Sequence, residues 1–157
     1  MFSALQDWPR ILTQAQTAIR HSGWLEITEM DIIPASDDGT VTKDYKLTQY
    51  FDILKRAAIG RGFNLSVAPD LKRLVTEAGY SNIEEHVYKL PMGPWAADTD
   101  LRVVGLYHRE QFLDGIQGII LKYLTQVEGW SPEEVEIFIA TVRAQIMDKN
   151  IHCYWKV

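Results

Sequence analysis

Two acidic side chains bracket Met30 in the stretch WLEITEMDII: Glu29 and Asp31. Alternation along a strand puts both on one face, near the carboxyl edge where open α/β sheets bind their ligands. Two neighbouring carboxylates can split their pKa values and divide acid and base roles between them. The plainer alternative is a pair of acids facing water at a strand end. A second candidate is His108. Val104, His108, Gln111 and Gly115 recur at helical spacing and share one face, and Gly115 and Gly118 leave room beside them. An imidazole with an ordinary pKa of about 6.5 suits proton transfer near neutral pH; the alternative is an exposed or capping histidine. The four histidines are well separated and lack the H-x-x-x-H spacing, so no metal site is expected. The single Cys153 excludes an intramolecular disulfide and a thiolate zinc cluster, and it reads as core rather than nucleophile. Asp37 and Asp38 read as turn residues, and His86 as part of a solvated strand edge.

The elements that must position these residues alternate between helix and strand. Asp7 caps a helix opened by Trp8-Pro9, with Ile11, Leu12, Ala15, Ala18 and Ile19 at helical spacing. It stops at His21-Ser22-Gly23, where Gly23 can take the left-handed position. Residues 24–33 are expected as a strand, 34–40 as an exposed turn, and 42–61 as a helix with Leu47, Tyr50, Phe51, Leu54 and Ala58 on one face. A short helix over 68–78 ends at Gly79, and a strand follows over 80–90. A rigid loop over 91–95 leads into a long helix over 100–127. Ser131-Pro132-Glu133-Glu134 opens a further helix to about 149, and 151–157 forms a last strand.

At 157 residues the chain has the size of one domain, long enough to bury a core without disulfides or metals. Apolar residues make up 46% and charged residues 24%, which argues against extended disorder. The formal charge of −5 carries no basic block, so nucleic acid is not an expected partner. Residues 1–20 hold no continuous apolar run of signal-peptide type, and 115–124, the most apolar stretch, is too short to span a bilayer. No membrane partner is expected, and a cytoplasmic protein is.

Several segments carry a family resemblance. DWPRILTQAQTAIRHSGWLEITEMD, then SDDGT, then APDLKRLVTEAGYSNIEEHVYKLPMGPW, then GWSPEEVEIFIATVRAQI and IHCYWKV resemble, in order and spacing, the fungal LaeA-like class I methyltransferases. The resemblance covers essentially the whole chain and corresponds to the C-terminal half of the family's domain. It implies an α/β fold in which a small mixed three-stranded sheet, in the order first-last-middle, is covered by about six helices. Residues 1–157 form one truncated methyltransferase-like domain in this reading. The family's glycine-rich turn for S-adenosylmethionine belongs to the other half. This sequence is therefore expected to take no cofactor and not to methylate on its own.

By the same resemblance, the acceptor pocket is built from the loop after Ile33, the helix carrying Tyr45, Tyr50 and Phe51, the 91–95 loop with Trp95, and the long helix with Tyr107, Gln111 and Phe112. Aromatic walls with few polar groups suit an apolar small molecule, and the alternative for Tyr50, Phe51 and Phe112 is a place in the core. The expectation is a cofactor-independent enzyme of fungal natural-product biosynthesis, catalysing a cyclisation, pericyclic reaction, isomerisation or dehydration, with His108, Glu29 and Asp31 as proton-transfer groups. The alternatives are a non-catalytic partner or regulator derived from a methyltransferase, or a fragment of an ordinary methyltransferase. A sheet edge at 24–33 left unpaired is an association template, so a homodimer through that edge is expected.

Overall fold

In a computed structural model, which describes residues 5–157, the longest element is α4, Thr99–Gln126, and the core is built along its second half. Ile116, Ile120 and Leu124 recur every four residues on α4 and are fully buried. Against them lies α5, Pro132–Ile146, whose Val135, Ile139, Val142 and Ile146 form one stripe. Its start is fixed by the capping box read from the sequence: the Ser131 hydroxyl accepts from Glu134 N, and the Glu134 carboxylate accepts from Ser131 N. α2, Lys46–Ile59, adds Leu47, Tyr50, Phe51 and Ile53. The remaining helices are α1, Trp8–Ala18, capped by Asp7 as expected, and α3, Leu71–Glu77, preceded by a 3-10 turn, Ala68–Asp70. Thus the described residues hold five α-helices, not about six. At the end of α1 it is Ser22 that takes the left-handed conformation, at φ 65°, in place of the expected Gly23. No helix among the described residues is long and apolar enough to cross a membrane.

The sheet is smaller than the expected three strands. β1, Lys89–Pro91, pairs antiparallel with β2, Tyr154–Lys156, in the register Lys89–Lys156, Leu90–Trp155, Pro91–Tyr154. On the other edge of β2, residues 24–33 do not form a strand. Their one main-chain bond to it is Asp31 N to Lys156 O (2.8 Å); the Trp155 indole also donates to Ile32 O at 3.2 Å, and an isolated bridge between Ala35 and Tyr154 follows. The reason is local chemistry. The Ile33 amide is taken by the Asp31 carboxylate at 3.1 Å, and Pro34 has no amide to give. Alternate amides of an extended chain face one edge, so the engaged Ile33 amide breaks the ladder between the Asp31 and Ala35 contacts. The order of these segments around β2 is nevertheless first, last, middle.

α4 touches the loop after β1 at one point with backbone on backbone. Gly93 N donates to Gly105 O at 3.0 Å, and a Cβ on Gly105 would sit 2.2 Å from the Gly93 oxygen. That contact docks the helix on the sheet and fixes the 91–95 loop. The sequence's one G-x-G triplet, Gly60-Arg61-Gly62, closes α2 and does not open a helix after a strand.

Candidate functional site

The residues expected to form one apolar pocket are separated by the fold. Tyr50, Phe51 and Phe112 fill the core against Trp155: Tyr50 meets Phe51 and Phe112 edge-on, with centroids 5.4 and 5.6 Å apart, and donates its hydroxyl to Ile116 O at 3.0 Å. Because these rings fill one another's space, none is left for a ligand between them. Tyr107 and Gln111 face solvent on the outer side of α4. Gly115 and Gly118 line no cleft; a Cβ on Gly118 would meet nothing.

His108 is half-buried, edge-on to Trp155 at 5.1 Å, with Nδ1 2.9 Å from Pro91 O. A carbonyl only accepts, so Nδ1 carries the proton. Burial lowers its pKa below the ordinary 6.5, against the opposing pull of the Pro91 bond. Its role in the fold is to tie α4 to β1. Glu29, buried, and Asp31, half-buried, line a cleft on the far side of β2 that does not include His108. The three expected proton-transfer residues are therefore not brought together.

The structure instead assembles a polar cluster where the 34–40 turn meets β2. The Ala35–Tyr154 bridge brings the turn alongside the start of the last strand. There Gly39, at φ 75°, folds Thr40 back so that its amide and hydroxyl donate to Asp38 Oδ1 at 3.1 and 2.7 Å. The same Thr40 hydroxyl oxygen accepts from His152 N at 3.0 Å. This positions the His152 ring with Nδ1 2.6 Å from Asp38 Oδ2. The Thr40 hydroxyl and amide, with His152, hold the Asp38 carboxyl down to about 2. As an ionised carboxylate Asp38 only accepts, so Nδ1 of His152 carries a proton and donates it to Asp38. The ring lies 5.3 Å from Trp95, whose indole N–H donates to Cys153 O at 3.0 Å. His152 is about two-fifths exposed, open to a substrate.

Asp37, next in the turn, pairs with Lys89 of β1 and accepts from the Tyr154 hydroxyl at 2.8 Å. Lys89 lies 4.9 Å over the Tyr154 ring. Lys89 first, and then Tyr154, lowers the Asp37 pKa, while Asp37 raises those of both partners. The cluster thus offers an imidazole backed by a carboxylate, and an ammonium, Lys89, paired with the other carboxylate of the same turn. That combination can accept a proton and stabilise negative charge developing on a substrate. Sequence reading assigned Asp37 and Asp38 to turn chemistry alone and gave His152 no role; the signal lay in their pairing across the sheet.

Among the described residues no group of three or more His, Cys, Asp or Glu could hold a metal. Nor do these residues fit S-adenosylmethionine, because no glycine-rich turn opens a helix after a strand.

The chain is homologous over almost all its length to fungal methyltransferases and regulators of LaeA-like type. It is 34% identical over 152 residues to the methyltransferase pytC of Aspergillus terreus, covering 97% of this chain and 47% of that protein. A probable methyltransferase of Emericella nidulans, tdiE, is 28% identical over 151 residues, 96% of this chain and 48% of the relative. The secondary metabolism regulator laeA of Aspergillus fumigatus is 26% identical over 154 residues, 96% of this chain and 40% of the relative. The chain therefore spans about half the length of these relatives. No family model and no solved structure matches it.

Proposed function

We propose that this chain is a methyltransferase-derived protein of fungal secondary metabolism whose chemistry is proton transfer at His152. The observation that carries the proposal is the His152–Asp38 pair at 2.6 Å, on the edge of the small sheet, with Trp95 against the ring. His152 Nε2 takes a proton from a bound small molecule, Asp38 stabilises the imidazolium, and Lys89 lies where negative charge can be met. Trp95 supplies an apolar face for the substrate. In an isomerisation or cyclisation the imidazolium returns that proton to another atom of the substrate, and in a dehydration it gives it to the departing hydroxyl, which leaves as water. A positioned general base contributes about 10²–10⁴-fold to such a step.

A second reading is favoured by the relatives named as methyltransferases: these residues are the acceptor half of a methyl-transferring protein, with His152 deprotonating the acceptor. One experiment tests both. The gene is deleted in the producing fungus, and the strain is complemented with wild type, His152→Gln or Asp38→Asn while metabolites are followed by mass spectrometry. A lost metabolite of the same mass as its accumulating precursor, or one water lighter, supports the first reading; one methylene heavier supports the second. His152→Gln should fail to restore it under either. Full restoration by His152→Gln would remove the proton-transfer role.

A further inference from the structure

One side chain holds both members of the His152–Asp38 pair. The Thr40 hydroxyl has one hydrogen to give and lone pairs with which to accept. It gives the hydrogen to Asp38 Oδ1 at 2.7 Å and accepts the His152 main-chain N–H at 3.0 Å. Asp38 Oδ1 also accepts from the Thr40 amide at 3.1 Å, and Oδ2 faces the His152 ring at 2.6 Å. Both carboxylate oxygens are engaged, so turning the carboxyl group would break a bond at each. The same hydroxyl anchors the main chain from which the imidazole extends. Among the described residues no other side chain bonds to both partners.

The turn has other means of keeping its own shape. The Ser36 hydroxyl closes it by accepting from Val41 N at 2.9 Å. The Ala35–Tyr154 bridge ties its start to β2, and Asp37 ties its middle to Lys89 and Tyr154. A change of side chain at 40 leaves the amide there free to stay on Asp38. Losing the hydroxyl therefore loosens the pair while the turn remains closed. We propose that Thr40 is the positioning residue of this site: its hydroxyl sets which oxygen of Asp38 meets His152 and where the imidazole stands to take a proton. The role rests on the proton-transfer reading of the pair, but the geometry it controls can be measured without a substrate. A carboxylate already in place stabilises the imidazolium with no reorganisation, and a displacement of about 1 Å at such a site can cost about 10²-fold in rate.

Thr40→Val keeps the shape of the side chain and removes the hydroxyl, Thr40→Ala repeats the loss with less bulk, and Thr40→Ser keeps the hydroxyl. Ser36→Ala opens the turn's own latch and touches neither partner. The whole chain, labelled with carbon-13 and nitrogen-15, is followed by NMR at the Asp38 carboxyl carbon and the two ring nitrogens of His152. The charged groups facing Asp38 are His152 and Asp37, and Asp37 is itself paired with Lys89. At a pH high enough for the His152 ring to hold a single proton, that proton should sit on Nδ1 in the parent. In Thr40→Val and Thr40→Ala the preference for Nδ1 should fall about threefold to tenfold, and the Asp38 carboxyl should titrate about one pH unit higher, because a charge-assisted bond is gone. Thr40→Ser should restore both signals, and Ser36→Ala should leave both as in the parent. Parent-like signals in Thr40→Val and Thr40→Ala would overturn the role, as would a parent ring protonated on Nε2 alone. So would a change in Ser36→Ala as large as that in Thr40→Val, since the turn as a whole would then hold the pair. Neither signal needs a substrate, so they decide the place of Thr40 whether or not His152→Gln restores the metabolite.

Discussion

Gly105→Ala puts a methyl group where the structure has backbone. The new Cβ would lie 2.2 Å from Gly93 O, 2.9 Å from Gly93 C and 3.0 Å from Pro91 Cβ. Carbon never approaches a carbonyl oxygen that closely, so α4 and the 91–93 loop must part by about 0.8 Å merely to reach 3.0 Å. Parting them stretches two hydrogen bonds, Gly93 N to Gly105 O at 3.0 Å and His108 to Pro91 O at 2.9 Å. Each is worth about 1 kcal/mol, and overpacking strain adds about 1–3 kcal/mol. Against this, alanine in a helix gains about 1 kcal/mol over glycine. The net loss is about 2–4 kcal/mol, out of a total stability of about 5–15 kcal/mol. For a chain of this length the melting temperature falls roughly 5–15 °C. Gly118→Ala, in the same helix with nothing within 4 Å of the added carbon, is the control and should melt slightly higher. Both are read by circular dichroism on heating. If Gly105→Ala melts within about 2 °C of the parent, α4 does not dock on the loop as described.

Burial lowers the His108 pKa, so below 6.5 the unfolded chain takes up a proton that the folded chain resists. Stability from this residue is therefore complete above 6.5 and declines as pH falls toward the folded value. Melting curves between about pH 7.5 and 5.5 should show that decline, and His108→Phe should flatten it; an unchanged slope would refute the assignment. Cys153 is buried and its thiol pKa is pushed up to about 12, so a thiol reagent at neutral pH should label it only after unfolding. Rapid labelling of the native protein would mean that β2 opens.

How much of this was legible in the sequence depended on how local the signal was. The capping box at Ser131–Glu134, the Asp7 cap and the long helix before Val127 were readable because each rests on residues within one or two turns of each other. The strands failed for the opposite reason. Residues 24–33 have strand composition, but hydrogen bonding needs a neighbour, and the Asp31 side chain takes the Ile33 donor beside β2. A composition argument sees apolar and β-branched side chains; it does not see which amides are already engaged. The aromatic residues of α2 and α4 were legible as one cluster but not as core or pocket, since periodicity gives a shared face without saying whether anything stands between two faces.

The His152–Asp38 pair is the extreme of the same limit, with its members 114 residues apart. Nothing in the local sequence of either points to the other: SDDGT is good turn chemistry, and a histidine beside Cys153 in an apolar strand reads as incidental. They meet because antiparallel pairing places the start of β2 against Ala35, and because Gly39 can hold a positive φ that returns Thr40 to Asp38. Thr40 then serves both residues, donating to the carboxylate and accepting from the His152 amide. On this pair the proposed proton transfer rests. The pair lies on the edge of β2 where Ala35 enters.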